Sequence, residues 1–222
     1  MENALASVAL LAAGTLSGGL IWRWACAQGA FAPPVRPCLV RLVCGLMWVG
    51  LALAYGPCLE TIELCLLSLV LVALSLTDLA SLTIPNVCIA AAVVIRVTYI
   101  AMAGLLGLAN PLTLLVGSLA GALCTFVPLL LLTLLLDHLL DTESLGGGDL
   151  KLLTAAGMYV GWLVVPLLTL ACLLGLAGSV AKAHGRLDAL APFAFGPAIA
   201  CAFWITLMVA RPLEAGFVRW MF

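Results

Sequence analysis

Charged residues are scarce in this sequence. Only 9% of its 222 residues carry a charge, 65% are hydrophobic, and the mean hydropathy is +1.28. A soluble domain of this size could not cover so apolar a surface with polar groups, so we predict an integral membrane protein with the lipid bilayer as its solvent. The net charge of -1, without any basic stripe, excludes nucleic acid as a predicted partner.

Paired cysteine motifs are also missing. The nine cysteines lie mostly inside apolar runs, and neither a CxxC motif nor a tight Cys/His cluster occurs. We therefore predict no disulfide framework, no metal site and no cofactor. The first apolar run has no basic leader segment before it and no small-residue cleavage site after it, so we interpret that run as a retained membrane span.

Long apolar runs are what the sequence has in abundance. A bilayer core of about 30 Å needs roughly 20 apolar helical residues. Between 150 and 181 the apolar stretch is too long for one ordinary span, which favours a short helix at 150–162 and a second at 164–181. We predict an all-α polytopic membrane helical bundle of about eight segments, with seven as the alternative. The other spans are predicted at 4–22, 37–56, 60–78, 86–106, 111–136 and 193–211.

The positive-inside rule gives the orientation of these spans. Arg23, Arg36 and Arg41 follow the first span, so we place that connection in the cytosol and the amino terminus outside. Alternation then places the third and fifth connections in the cytosol too. Charge counting does not choose between seven and eight segments, but in both Asp78 and Asp149 lie where an apolar helix meets the cytosolic face, so the two could meet in space.

The two aspartates differ in how well a structural role explains them. Asp149 precedes an apolar run, where an aspartate is a favoured N-cap, so capping is an alternative to a functional role. The glycines before it, Gly146 to Gly148, allow positive φ angles and the close approach of another chain, which a simple cap does not require. Asp78 ends an apolar run, where the helix dipole disfavours a carboxylate, and its structural alternative is a solvated loop acid.

Two carboxylates at one site can share a proton, because both do not ionise cheaply at close range. The ionised group then activates a water molecule while the protonated group polarises a peptide carbonyl, which amounts to acid-base hydrolysis. The pair therefore favours an aspartic peptidase whose rate depends on pH in the acid range.

Three motifs, in this order, resemble the type IV prepilin peptidase family of GxGD-type bacterial membrane aspartic peptidases. They are "TDLASLTIPN", "GGGDLKLL" and "PFAFGP", the last of which has extra residues and is predicted to shape the entry to the final helix. The resemblance covers about residues 60–211, which we take as the catalytic portion of a single integral membrane domain over 1–222. It implies that Asp78 and Asp149 are the catalytic pair. The motif residues that would support them are Gly146, Gly148, Lys151, Pro85 and Asn86.

The resemblance implies a hydrolase that cuts the short basic leader from type IV prepilins or pseudopilins, at the cytosolic boundary of the bacterial inner membrane. These substrates belong to type IV pili and type II secretion. Larger family members carry a cytosolic insertion with two CxxC pairs that is linked to N-methyltransferase activity. Here the first connection is short, with only Cys26 and Cys38 in or beside it, so zinc binding and methylation are not expected of this short form.

Other roles stay open for this chain and for two of its cations. A small proton-coupled transporter would use the boundary acids as proton carriers, and a non-enzymatic pilus or secretion scaffold would not need them. Lys151 either raises the local potential beside the aspartates or extends to the lipid headgroups. Arg96 lies well inside a span and needs a partner there, which we predict to be Glu60 or Glu63. The sequence predicts no oligomeric state.

Overall fold

The computed structural model of the chain describes residues 2–28, 35–141, 145–182 and 194–221. Within these ranges the chain is almost entirely helical and contains no strand, which confirms the predicted all-α bundle. The helices are α1 (Glu2–Gln28), α2 (Pro37–Tyr55), α3 (Leu59–Ser81), α4 (Asn86–Leu105), α5 (Pro111–Leu140), α6 (Gly147–Val160), α7 (Val164–Lys182) and α8 (Gly196–Met221).

Helix starts follow the local chemistry of proline and asparagine. Pro37 and Pro111 lie in the first turns of α2 and α5, where the missing N–H costs no intrahelical hydrogen bond. Asn110 caps α5, because its side-chain oxygen accepts a hydrogen bond from the Leu112 N–H at 2.9 Å. Pro85 is the N-cap of α4. The predicted span boundaries agree with the structure to within a few residues at most ends. The exceptions are α1, which continues to Gln28 and shortens the first connection, and α8, which continues to Met221 where the last span was predicted to end at 211.

The stretch from Gly147 to Lys182 is helical with one interruption. A short 3-10 turn, Gly161–Leu163, joins α6 to α7, and Gly161 has a φ of +53°. Counted as one stretch, it gives the seven helices of the alternative prediction, and the interruption falls at the predicted division between two segments. By length and composition alone, six helical stretches in the described ranges could cross a membrane: most of α1, α2 to α5, and Gly147–Val180, the last of which contains the turn at Gly161.

α6 and α7 run in opposite directions. α6 begins close to the turn that follows α3, since a Cβ on Gly148 in its first turn would lie 3.2 Å from the Ile84 side chain. α7 ends there as well, since Gly178 and Ser179 line a small cavity together with Leu79 of α3. The chain therefore turns back at Gly161. We call the end of the bundle at which α3 ends and α6 begins the site end.

α3 is the central helix of the bundle. In its most apolar window 56% of the residues are buried, against 11% in α5, which lies at the periphery. Leu67, Leu71 and Leu74 are fully buried in a core shared with α2, α6 and α8. Trp48 of α2 adds a polar link by donating its indole N–H to the Cys65 carbonyl at 3.0 Å. This central place of α3 puts its last turn among the neighbouring helices.

Candidate active site

Asp78 is buried in the last turn of α3 and is only 5% exposed. The helix continues to Ser81 and ends at Leu82, which adopts a left-handed conformation and donates its N–H to the Asp78 carbonyl at 2.8 Å. The alternative of a solvated loop acid is therefore wrong. The helix extends beyond Asp78, and neighbouring helices cover the side chain.

A hydrogen bond from α8 holds the Asp78 carboxylate. The backbone N–H of Gly196, the first residue of α8, donates to Asp78 Oδ2 at 2.7 Å. The amino terminus of a helix carries a partial positive charge, so α8 gives the anion both a donor and a favourable field. Our expectation that no helix dipole accounts for Asp78 was wrong, because the stabilising helix lies 118 residues further along the chain.

Asp149 lies in the first turn of α6 but does not cap it. The helix begins at Gly147, its N-cap is Gly146, and no side chain provides a capping hydrogen bond. The capping alternative is therefore wrong, because Gly147 and Gly148 are helical and the helix begins earlier than predicted. The favourable field of the helix terminus still acts on Asp149.

The three glycines provide space and no unusual backbone angle. Gly146 has a φ of -61°, and Gly147 and Gly148 lie inside α6, so the predicted use of positive φ is wrong. A Cβ on Gly148 would lie 3.2 Å from the Ile84 side chain, and one on Gly146 would lie 3.2 Å from Asp149 Oδ2. Gly148 thus lets α6 approach the turn before α4, and Gly146 leaves room for the carboxylate.

The structure brings Asp78 and Asp149 together at the site end. Their carboxylates are close enough for the charge of one to act on the other. Asp78 comes from α3 and Asp149 from α6, so two helices far apart in sequence build one acidic site. Within the described ranges, no three His, Cys, Asp or Glu side chains are grouped so as to hold a metal ion.

The remaining motif residues connect α4 to α6 beside this pair. Lys151 Nζ donates a hydrogen bond to Asn86 Oδ1 at 3.2 Å, and Asn86 is the first residue of α4, directly after Pro85. This contact places Lys151 between two helix starts. An electrostatic effect of Lys151 on the aspartates stays a prediction.

Arg96 has the ion-pair partner that its position inside a span requires. Its Nη1 lies 3.1 Å from Glu63 Oε1, which confirms Glu63 as the partner, and its Nε donates to Ser118 Oγ at 2.9 Å. The guanidinium also lies over the rings of Tyr99 and Tyr159, at 5.4 and 5.2 Å from the ring centroids.

Sequence reasoning missed Gly196 as a partner of Asp78. Its signal was the stretch "PFAFGP", which we predicted only to shape a helix entry. Phe195, Gly196 and Pro197 do open α8, and the first of its free N–H groups becomes the donor. Pro192 and Phe193 of the same stretch lie outside the described residues.

The fold and the site together define a class: a polytopic α-helical membrane protein with two carboxylates from different helices at one end of its bundle. Comparison with known proteins identifies the family. Residues 65–180, more than half of the chain, match the type IV leader peptidase family, and the chain belongs to that family. It is accordingly a multi-pass protein of the bacterial inner membrane. No solved structure matches the chain.

Several relatives carry the name prepilin leader peptidase/N-methyltransferase. One from Aeromonas hydrophila is 30% identical over 199 residues, which are 85% of this chain and 64% of the relative. One from Pseudomonas putida is 31% identical over 177 residues, covering 78% and 59%. One from Pectobacterium carotovorum subsp. carotovorum is 33% identical over 165 residues, covering 73% and 54%. The chain thus spans less than two thirds of the length of these relatives.

Proposed function

We propose that this protein is a membrane aspartic endopeptidase that removes the leader from type IV prepilin or pseudopilin substrates. Asp78 and Asp149 are its catalytic pair. The observation that carries the proposal is that α3 and α6 bring these two carboxylates to the same end of the bundle, in a chain of the type IV leader peptidase family. The names of the relatives support the substrate class, and the proposal covers peptidase activity only.

The pair supports hydrolysis in one addition and one cleavage step. One carboxylate takes a proton from water, whose oxygen adds to the peptide carbonyl, while the other carboxyl donates its proton to the carbonyl oxygen. As the carbon–nitrogen bond breaks, the protonated carboxyl gives its proton to the leaving nitrogen and the other carboxylate takes a proton from a hydroxyl of the tetrahedral intermediate, so the pair again holds one shared proton. The Gly196 N–H orients Asp78 throughout, and Gly148 lets α6 lie close to the α3–α4 turn.

The catalytic portion comprises about residues 60–211 of one integral membrane domain, and its site faces the cytosol. Val35 and Leu39 line an apolar cavity together with Leu76 and Pro197, so the connection between α1 and α2 lies at the site end. Arg23 lies near the end of α1, Arg36 directly precedes α2 and Arg41 lies near the start of α2. Basic residues mark the cytosolic side of membrane proteins, which supports this orientation.

Co-expression with a prepilin tests the proposal. We expect Asp78→Asn and Asp149→Asn each to lower the rate of leader removal on the order of 10²- to 10⁴-fold, because each variant lacks one of the two acid-base groups. Leader removal is measured as the mass decrease of the substrate, with equal amounts of each variant in the membrane.

Asp141→Asn is the matched control. Asp141 is an exposed carboxylate just after α5, in a left-handed conformation that asparagine also adopts, so we expect wild-type cleavage. Cleavage that survived both Asp78→Asn and Asp149→Asn would refute the assignment and favour a scaffold role.

A further inference from the structure

A largely covered cation lies between the two helices that carry the aspartates. Arg96 sits near the middle of α4, and its side chain is only 14% exposed. It contacts Glu63 of α3 on one side and the ring of Tyr159 of α6 on the other. Asp78 belongs to the first of these helices and Asp149 to the second.

The polar groups around this cation have hydrogen-bond partners. Glu63 accepts from Arg96 Nη1 with both oxygens, at 3.1 and 3.3 Å, and its side chain is 1% exposed. Tyr159 stacks on the guanidinium, and its hydroxyl donates to the Ala92 carbonyl of α4 at 2.6 Å. Inside a bilayer such groups have no water to replace a lost partner, so each helix is held at one depth relative to α4.

We propose that Arg96 is a positioning residue for the catalytic pair. With Glu63 and Tyr159 it forms a bridge, the Glu63–Arg96–Tyr159 bridge, that fixes the axial register of α3 against α6 and so keeps Asp78 and Asp149 at the same depth. It acts through the helices, because Glu63 lies near the start of α3 and Tyr159 near the end of α6, both far from the site end.

Register matters because hydrolysis needs both carboxylates on one peptide bond. A misplacement of about 1 Å can cost on the order of 100-fold in rate. At the site end the hydrogen bond between α4 and α6, Lys151–Asn86, joins two exposed side chains and constrains position weakly. The bridge is the buried counterpart at the other end of the same helices.

The test measures the position of α3 against α6 and the chemistry separately, on the full chain in lipid nanodiscs. Spin labels at Thr83→Cys and Gly147→Cys, in a cysteine-free background, report the separation of the two helix ends. A Cβ on Gly147 meets open space, and Thr83 is exposed, so both positions accept a label. Cleavage of a prepilin gives kcat and KM for the same variants without labels.

We expect Arg96→Met and Tyr159→Leu to broaden the distance distribution and to lower kcat about tenfold, with KM changed less than about threefold. Arg96→Lys keeps a charge that reaches Glu63 and should recover part of kcat. Tyr99→Leu is the matched comparison: it removes the other ring on the guanidinium, but Tyr99 belongs to α4 itself, so we expect a smaller effect on distance and kcat than for Tyr159→Leu.

A purely structural role would lower the unfolding temperature of these variants but leave the distance distribution and kcat of the folded protein unchanged, which would overturn the inference. Equal effects of Tyr99→Leu and Tyr159→Leu would overturn it too. If Arg96→Met does not fold, the comparison of Tyr99→Leu with Tyr159→Leu tests the inference instead. The kinetic part rests on the proposed function. A wild type that cleaves no prepilin would refute that function, while the distance measurement would still test the bridge.

Discussion

Gly196 leaves almost no free space around the Asp78 carboxylate. A Cβ at this position would lie 2.8 Å from Asp78 Oδ2 and 3.1 Å from its Cγ. We predict that Gly196→Ala displaces the carboxylate and weakens the hydrogen bond from the Gly196 N–H. A shift of about 1 Å costs on the order of 100-fold in rate, and we expect a smaller shift here that lowers kcat/KM for prepilin cleavage about tenfold. Steady-state cleavage by the reconstituted protein measures this.

Gly178→Ala is the control for this substitution. Gly178 also lies at the site end, in α7, and a Cβ there meets no atom within 4 Å. We expect wild-type kinetics from it. Wild-type kinetics from Gly196→Ala as well would mean that the Gly196 hydrogen bond does not position Asp78.

At the residue scale, the sequence predicted which side chains to consider better than it predicted their surroundings. Asp78, Asp149 and the Arg96–Glu63 pair were found because a charge at or inside an apolar run is costly and therefore conspicuous. The contact of Gly196 with Asp78 was not found from the sequence, because a backbone N–H has no signature there and its acceptor lies 118 residues away. Tyr159 was missed for a similar reason, since an aromatic residue in an apolar helix is ordinary.

The contact between α5 and α6 depends on two glycines. A Cβ on Gly121 would lie 2.2 Å from the Gly157 carbonyl oxygen, and one on Gly157 would lie 2.6 Å from the Gly121 carbonyl oxygen. Both are backbone atoms, which cannot turn aside as a side chain does. Small residues commonly permit such close helix contacts in membranes.

We predict that Gly121→Ala separates the two helices and lowers the free energy of unfolding by about 1–3 kcal/mol, the usual cost of overpacking. Reversible unfolding of the protein in mixed micelles measures it. Gly117→Ala, one turn earlier on α5, adds a Cβ that meets nothing within 4 Å and should leave stability unchanged or slightly higher. A stability loss of the same size in both variants would contradict the close-packing explanation.

At the element scale, hydropathy and helix-start residues were enough to predict the bounds of most helices but not the start of α6. Hydropathy and proline positions predicted α2 to α5 because those helices begin at Pro37, Asn86 or Pro111, or end near polar turns. The start of α6 was predicted too late, since glycine is a poor helix former and three in succession suggested a flexible loop. Packing of Gly148 against Ile84 accompanies the earlier helix start.

At the scale of the whole molecule, the turn between α6 and α7 determines at which end of the bundle α7 ends. α6 has 14 residues and spans about 21 Å, which is less than a bilayer core of about 30 Å, so the turn lies within the membrane. Irregular backbone at that depth is tolerated where protein covers it. α5 covers one side of this turn, because a Cβ on Gly121 of α5 would lie 3.2 Å from the Gly161 Cα. The sequence could not decide the path, because seven and eight segments gave the same balance of basic residues.

This turn predicts that the ends of α3 and α7 reach the same face of the membrane. In a cysteine-free background, we expect Thr83→Cys, after α3, and Lys182→Cys, the last residue of α7, to react with an impermeant maleimide from the same side. Leu108→Cys, in the turn between α4 and α5 and 64% exposed as leucine, should react from the opposite side only. Labelling intact cells and inverted vesicles in parallel distinguishes the two faces. The Thr83→Cys result also tests whether the carboxylate pair faces the cytosol.

If Lys182→Cys reacted from the same side as Leu108→Cys, α6 and α7 would form one crossing helix, and the end of α7 could not lie beside Leu79.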